Sequence, residues 1–103
     1  MINPIHKGGC VYIMTNKNNT ALYVGVRSDL VKRVLEHKNH KYSSSFTAKF
    51  NCDKLVYYNQ YDSIEEAILQ EKKLKDRSRK YKEELINSVN PLWMDLWDEI
   101  SKW

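Results

Sequence analysis

Cysteine, glycine and proline are all scarce in this 103-residue chain, which holds two, three and two of them. Cys10 and Cys52 are too few and too far apart for a disulfide framework, and neither belongs to a Cys-x-x-Cys metal knuckle. Of the glycines and prolines only Gly25 lies well inside the chain. No Pro/Gly/Ser-rich linker, internal repeat or low-complexity tract divides the sequence. No apolar run approaches the roughly 20 residues that span a bilayer. The stretch from Met1 to Gly8 lacks the apolar segment of a secretory leader. These absences lead to the expectation of a cytoplasmic protein without a membrane partner. One domain is expected over 9–100, with an N-terminal tail at 1–8 and a short end at 101–103.

What is present suits a folded domain. The chain is 42% hydrophobic, 12% aromatic and 29% charged, a globular balance rather than a disordered one. Seventeen Lys and Arg against thirteen Asp and Glu leave a formal charge of +4. That excess permits a polyanionic partner without demanding one.

Cys10–Thr15 and Ala21–Val26 are short, β-branched and aromatic, and read as strands. The turn residues Asn16–Asn19 between them suggest a four-residue hairpin loop pairing Thr15 with Thr20 and Tyr12 with Tyr23. Alternation then puts Val11, Ile13, Leu22 and Val24 on an aliphatic face, the expected core. Tyr12, Tyr23 and Gly25 share the opposite face, where two hydroxyls and a bare backbone patch invite chemistry. Ser28 or Asp29 can cap a helix to about His37 or His40, with Leu30, Val31, Val34 and Leu35 as its apolar stripe. Lys41–Ser45 reads as a loop, Phe46–Phe50 as a helical turn and Lys54–Gln60 as a third strand. Ser63-Ile-Glu-Glu66 forms a capping box opening a helix to about Arg77, and a further helix is expected over Arg79–Val89. Asn90-Pro91 stops it, and an amphipathic tail follows. The expected fold class is therefore α+β, a small three-stranded antiparallel sheet flanked by helices.

Glu71 falls on the same helical face as Ile64, Ala67 and Ile68. A carboxylate on an apolar stripe is costly unless it is paired or binds metal. A buried salt bridge to Arg33 or to a lysine is the simpler explanation, and a metal facing a phosphate-gripping arginine the sharper one. Arg33 and His37 project from one side of their helix, four residues apart. The guanidinium fork suits phosphate oxygens, and the imidazole suits proton transfer. Seven basic residues crowd into the eleven after Glu71, namely Lys72, Lys73, Lys75, Arg77, Arg79, Lys80 and Lys82, with one acid among them. Such density suggests a phosphate track beside the carboxylate. Trp93, Trp97 and Trp103 read as a packing clasp.

In this order the residues resemble the GIY-YIG nuclease superfamily. Cys10-Val11-Tyr12 stands for the first signature and Tyr23-Val24-Gly25 for the second, with the tyrosines eleven residues apart. Arg27, Arg33, His37, Glu71 and Asn90 follow at places similar to those of the small stand-alone bacterial branch, and the likeness runs from about Gly9 to Ile100. The resemblance implies single-metal phosphodiester hydrolysis. It puts Tyr12 at the nucleophilic water as general base, with Tyr23 shaping the same site. Arg33 falls on the phosphate, His37 on proton or hydrogen-bond exchange, and Glu71 on the metal, Mg²⁺ or Mn²⁺. Gly25, Arg27 and Asn90 take supporting places. Two departures stand out: Cys10 replaces a glycine, and Val26 occupies a position that is lysine in excision-repair relatives.

The expectation is a metal-dependent DNA endonuclease. The chain carries no module for reading bases, so the cutting would be selective for structure rather than sequence, on branched, flapped or single-stranded DNA in repair or recombination. One alternative is a non-catalytic nucleic-acid binding or repair accessory protein. Another is a subunit whose Trp-rich tail docks a protein partner.

Overall fold

The structure, a computed structural model, describes residues 8–39 and 49–103. The expected loop at Lys41–Ser45 and most of the expected turn at Phe46–Phe50 lie outside the described residues. Strand β1 (Gly9–Thr15) is central, with β2 (Leu22–Arg27) and β3 (Lys54–Tyr61) antiparallel on its two sides. Helix α1 (Leu30–Lys38) follows β2; α2 (Ile64–Lys75) and α3 (Arg79–Val89) follow β3; and a short α4 (Trp97–Ile100) closes the chain.

The hairpin register differs from the expected one by two residues. Thr15 pairs with Leu22, Tyr12 with Gly25, and Met14 with Tyr23. The Asn16 side chain causes the shift. Its Oδ1 accepts from the backbone amides of Thr20 and Ala21 at 2.8 and 3.1 Å, so those amides leave the ladder and the loop runs from Asn16 to Ala21. A shift of two preserves each residue's face.

A second difference concerns the core. The aliphatic face packs Val11, Ile13 and Val24 against Ala67 and Leu74 of α2 and Ile86 of α3, as expected. The tyrosine face is equally covered. Tyr12 and Met14 are buried there with Leu30 and Val34 of α1 and Ile100 of α4, and Trp97 and Trp103 pack against them. The sheet is thus enclosed on both faces. A bulge opposite Ile13 and Met14 puts Val56 and Tyr57 on the same side of β3.

Side-chain caps start the helices where the sequence places them. Asp29 accepts from the Lys32 amide, Ser63 from Glu66 and Ser78 from Tyr81, each at 3.1 Å. Leu35 does not complete the α1 stripe and is 46% exposed. The tail is tied to β3: the Leu96 amide donates to the Leu55 carbonyl at 2.7 Å, and Asp95 accepts from the Leu55 amide and pairs with Lys38. Trp103 meets Tyr58 edge-on at 5.3 Å, and Lys38 lies over Trp97. Trp97 and Trp103 thus pack against the core while keeping part of their surface exposed. Among the described residues no helix is long and apolar enough to cross a membrane.

Candidate active site

Strand β1 carries Tyr12 to the centre of the sheet, β2 carries Tyr23 beside it, and α1 lays Arg33 and His37 over both. The ring centroids of Tyr12, Tyr23 and His37 lie 5.4 to 6.3 Å apart, in tilted or edge-on contacts. Gly25, the cross-strand partner of Tyr12, lies directly under its phenol. A Cβ there would come within 2.5 Å of both Cζ and the hydroxyl. The bare backbone patch expected at Gly25 is therefore the seat of the Tyr12 ring.

A hydrogen-bond chain runs through this cluster. Arg33 Nε donates to the Tyr12 hydroxyl at 3.3 Å, and that hydroxyl lies 3.2 Å from His37 Nε2. Arg33 can only donate. The direction of the Tyr12–His37 bond follows the imidazole tautomer: Nε2 accepts the phenolic proton when the imidazole proton sits on Nδ1. Burial pushes the Tyr12 phenol up to about 12, against the opposing pull of Arg33, and lowers His37 to about 4 with help from the Arg33 charge. Both groups are neutral at pH 7. For Arg33, burial favours losing the charge, but bonds to Tyr12, Glu36 and Tyr23 outweigh it and the pKa rises. Glu36, which sequence reasoning passed over, pairs with Arg33 at 3.1 Å, and both side chains are 13% exposed. The i,i+3 spacing of opposite charges was the available signal.

Glu71 is buried on α2 and pairs with Lys75 at 2.8 Å, one turn on. This is the salt bridge to a lysine considered above. Lys75 is half exposed, however, so the pair sits at the edge of the core rather than inside it. The Glu71 bond raises the Lys75 pKa. Tyr23 touches the Tyr12 and His37 rings and borders the same groove as Lys75, whereas the helix of Glu71 packs on the opposite, aliphatic face of the sheet. A groove of about 330 Å³ along β2 is lined by Leu22, Tyr23, Val24, Lys75 and Lys82. Among the described residues no three His, Cys, Asp or Glu side chains gather as a metal cage. Glu71 offers one hard oxygen donor group. That suits Mg²⁺ on the terms this ion accepts, keeping several waters and taking substrate phosphate oxygens.

The remaining expected residues serve several ends. Arg27, at the end of β2, is exposed and near enough to depress both Tyr12 and His37. Asn90 is buried. Its amide donates to the carbonyls of Val56 and Met94 at 3.0 and 2.9 Å and accepts from the Met94 amide, which anchors the tail to β3. The basic run does not form one track. Lys75 and Lys82 flank the β2 groove, whereas Lys73 and Arg77 line a cavity beside β3. Arg79 donates to the Asn19 and Thr20 carbonyls at 2.8 Å and to Glu83, holding the hairpin loop. Lys72 and Lys80 are exposed.

Two strand tyrosines, a helix arginine and histidine, and a glutamate on a later helix thus lie within one small α+β domain. The GIY-YIG catalytic domain matches residues 8–85, and the chain belongs to this family of nucleases. Within it the chain is similar to UPF0213 proteins. It is 35% identical to that of Syntrophus aciditrophicus over 79% of this chain and 91% of the relative. It is 32% identical to that of Staphylococcus saprophyticus over 75% and 92%. The solution NMR structure of the UPF0213 protein from Bacillus halodurans superposes with a TM-score of 0.54 at 27% identity, covering 85% of this chain and 92% of that one.

Proposed function

We propose that the protein is a metal-dependent endonuclease that hydrolyses phosphodiester bonds in DNA, choosing its substrate by structure rather than sequence. The observation that carries the reading is the Arg33–Tyr12–His37 cluster, with Tyr23 packed against it and bordering the groove that Lys75 and Lys82 line. In this mechanism a strand lies along the β2 groove, its phosphates met by Lys75 and Lys82. Arg33 remains charged and grips the non-bridging oxygens where negative charge develops. Tyr12 accepts the proton of the attacking water as its own proton passes to His37 Nε2. The new P–O bond forms in line with the breaking P–O3′ bond, leaving 5′-phosphate and 3′-hydroxyl ends. The His37 imidazolium so formed, low in pKa, returns the proton readily to solvent or to the leaving oxygen. Glu71 would hold Mg²⁺, which when bound supplies positive charge to the phosphate and the leaving oxygen.

A second reading draws on a different observation. Tyr12 is 1% exposed and its pKa is raised, so the phenol is poorly placed as a base until substrate opens the cluster. That state favours a nucleic-acid binding or repair accessory protein without cleavage. Incubation with labelled single-stranded, flapped and four-way-junction DNA in Mg²⁺ or Mn²⁺ separates the two. The nuclease cuts at least one substrate, and Glu71→Ala abolishes cutting. If wild type and Glu71→Ala cut equally little while both bind with steep salt dependence, the accessory reading takes its place.

A further inference from the structure

On the face of the sheet opposite Tyr12, a cavity of about 240 Å³ opens between α2, α3 and the end of β3. Its walls include Val11, Tyr57, Tyr61, Lys73, Arg77 and Tyr81. None of the residues lining it is a carboxylate. Three phenol rings and two cations therefore meet with no acidic group to neutralise them. Arg77 already lies over Tyr81, its guanidinium carbon 4.7 Å from the ring centroid, giving a cationic and aromatic wall. Tyr57 forms a buried floor, and the Asn59 amide donates to Tyr61 at 3.1 Å and holds that ring at the rim. The volume falls below the roughly 300 Å³ at which sites for drug-sized ligands begin. A single flat ring system fits, with a charged group left at the mouth.

We propose that this cavity binds one nucleotide unit, an aromatic base stacked against Tyr81 and Arg77 with its phosphate held by Lys73 and Arg77. Aromatic walls favour a base because every base offers a π-face, and the paired cations favour its phosphate over an uncharged nucleoside. The unit comes either from free mononucleotide or from the unpaired end of a bound strand. The split of the basic run accounts for both surfaces: Lys75 and Lys82 serve the β2 groove, and Lys73 and Arg77 serve this cavity. The proposal extends nucleic-acid recognition to a second surface and does not require that the tyrosine cluster cleave anything.

Amide chemical-shift titration of the full ¹⁵N-labelled chain tests it, with dAMP, adenosine and inorganic phosphate as separate probes. The expected result is saturable dAMP shifts centred on Val11, Arg77 and Tyr81, with weaker binding of adenosine and of phosphate alone. Tyr81→Leu and Arg77→Ala, both at exposed positions, should each weaken dAMP on the order of tenfold. Oligonucleotides ending in 5′-phosphorylated or 5′-hydroxyl 2-aminopurine distinguish the sources: fluorescence quenching that needs the phosphate and Tyr81 assigns a strand end, and dAMP binding without quenching assigns free nucleotide. Absent dAMP shifts, shifts confined to the β2 groove, or unchanged affinity in both variants would overturn the proposal. Nucleotide binding here by a protein that cuts no DNA would leave it standing and remove the nuclease reading instead.

Discussion

The hydroxyl of Tyr12 and Nε2 of His37 lie 3.2 Å apart, two neutral groups joined by one hydrogen bond. Burial, more than the contact itself, moves the titration of both groups. His37 is lowered from about 6.5 in an unfolded chain to about 4 in the fold. Between those values the unfolded state binds more protons, so stability rises with pH there. The contribution is complete above pH 6.5 and lost as pH falls towards 4, about 3 kcal/mol in all. Urea midpoints should therefore fall between pH 7 and 4.5, and His37→Gln should flatten that slope.

Gly25 is the seat of the Tyr12 ring, so Gly25→Ala should act through Tyr12. The added methyl must displace a side chain with nowhere to go, at a cost of about 1–3 kcal/mol. Gly9→Ala provides the control, since its Cβ would press on Ala67 across the other face at 2.8 Å. Both variants should lose thermal stability. Only Gly25→Ala should shift the ring resonances of Tyr12 and His37.

Arg79 illustrates how a basic run divides into separate tasks. Its two bonds to loop carbonyls predict that Arg79→Ala speeds amide exchange in Asn16–Ala21 and destabilises the fold by about 1–2 kcal/mol. Lys72→Ala and Lys80→Ala should leave stability unchanged. Each should lower the salt slope of DNA binding by about one.

Asn90 links three backbone groups, and its loss strands buried polar partners in β3 and the tail. Asn90→Ala should cost about 2–4 kcal/mol and loosen the docking of Trp97 and Trp103. Tryptophan emission in native buffer should shift to the red. An unchanged spectrum and denaturation midpoint would show that Asn90 is not the anchor.

The sequence carried the strands, helix starts and facing of Tyr12, Tyr23 and Gly25, because period-two alternation and Ser or Asp caps are local signals. The hairpin register was hidden, since it depends on which amides the Asn16 side chain draws out of the ladder. The bulge at Val56 was hidden for a similar reason: two adjacent apolar residues do not show that they share a face. The burial of the tyrosine face could not be read either, because its cover includes Ile100 and Trp103, 39 and 42 residues beyond the end of β3. At the site, the i,i+4 pairing of Arg33 and His37 was visible on α1. The Glu71–Lys75 pair, one turn apart on α2, was equally local, and only the placing of Lys75 beside Tyr23 required the packing of α2 on β2.

The central claim is that Arg33 and Tyr12 act on a DNA phosphate rather than merely fill the fold. Single-turnover cleavage of flapped or junction DNA in Mg²⁺, alongside binding of the same DNA, tests it most directly with Arg33→Gln and Tyr12→Phe. The account predicts folded variants that still bind DNA but cut at least about 100-fold more slowly than wild type. Cleavage by both variants at the wild-type rate would contradict it.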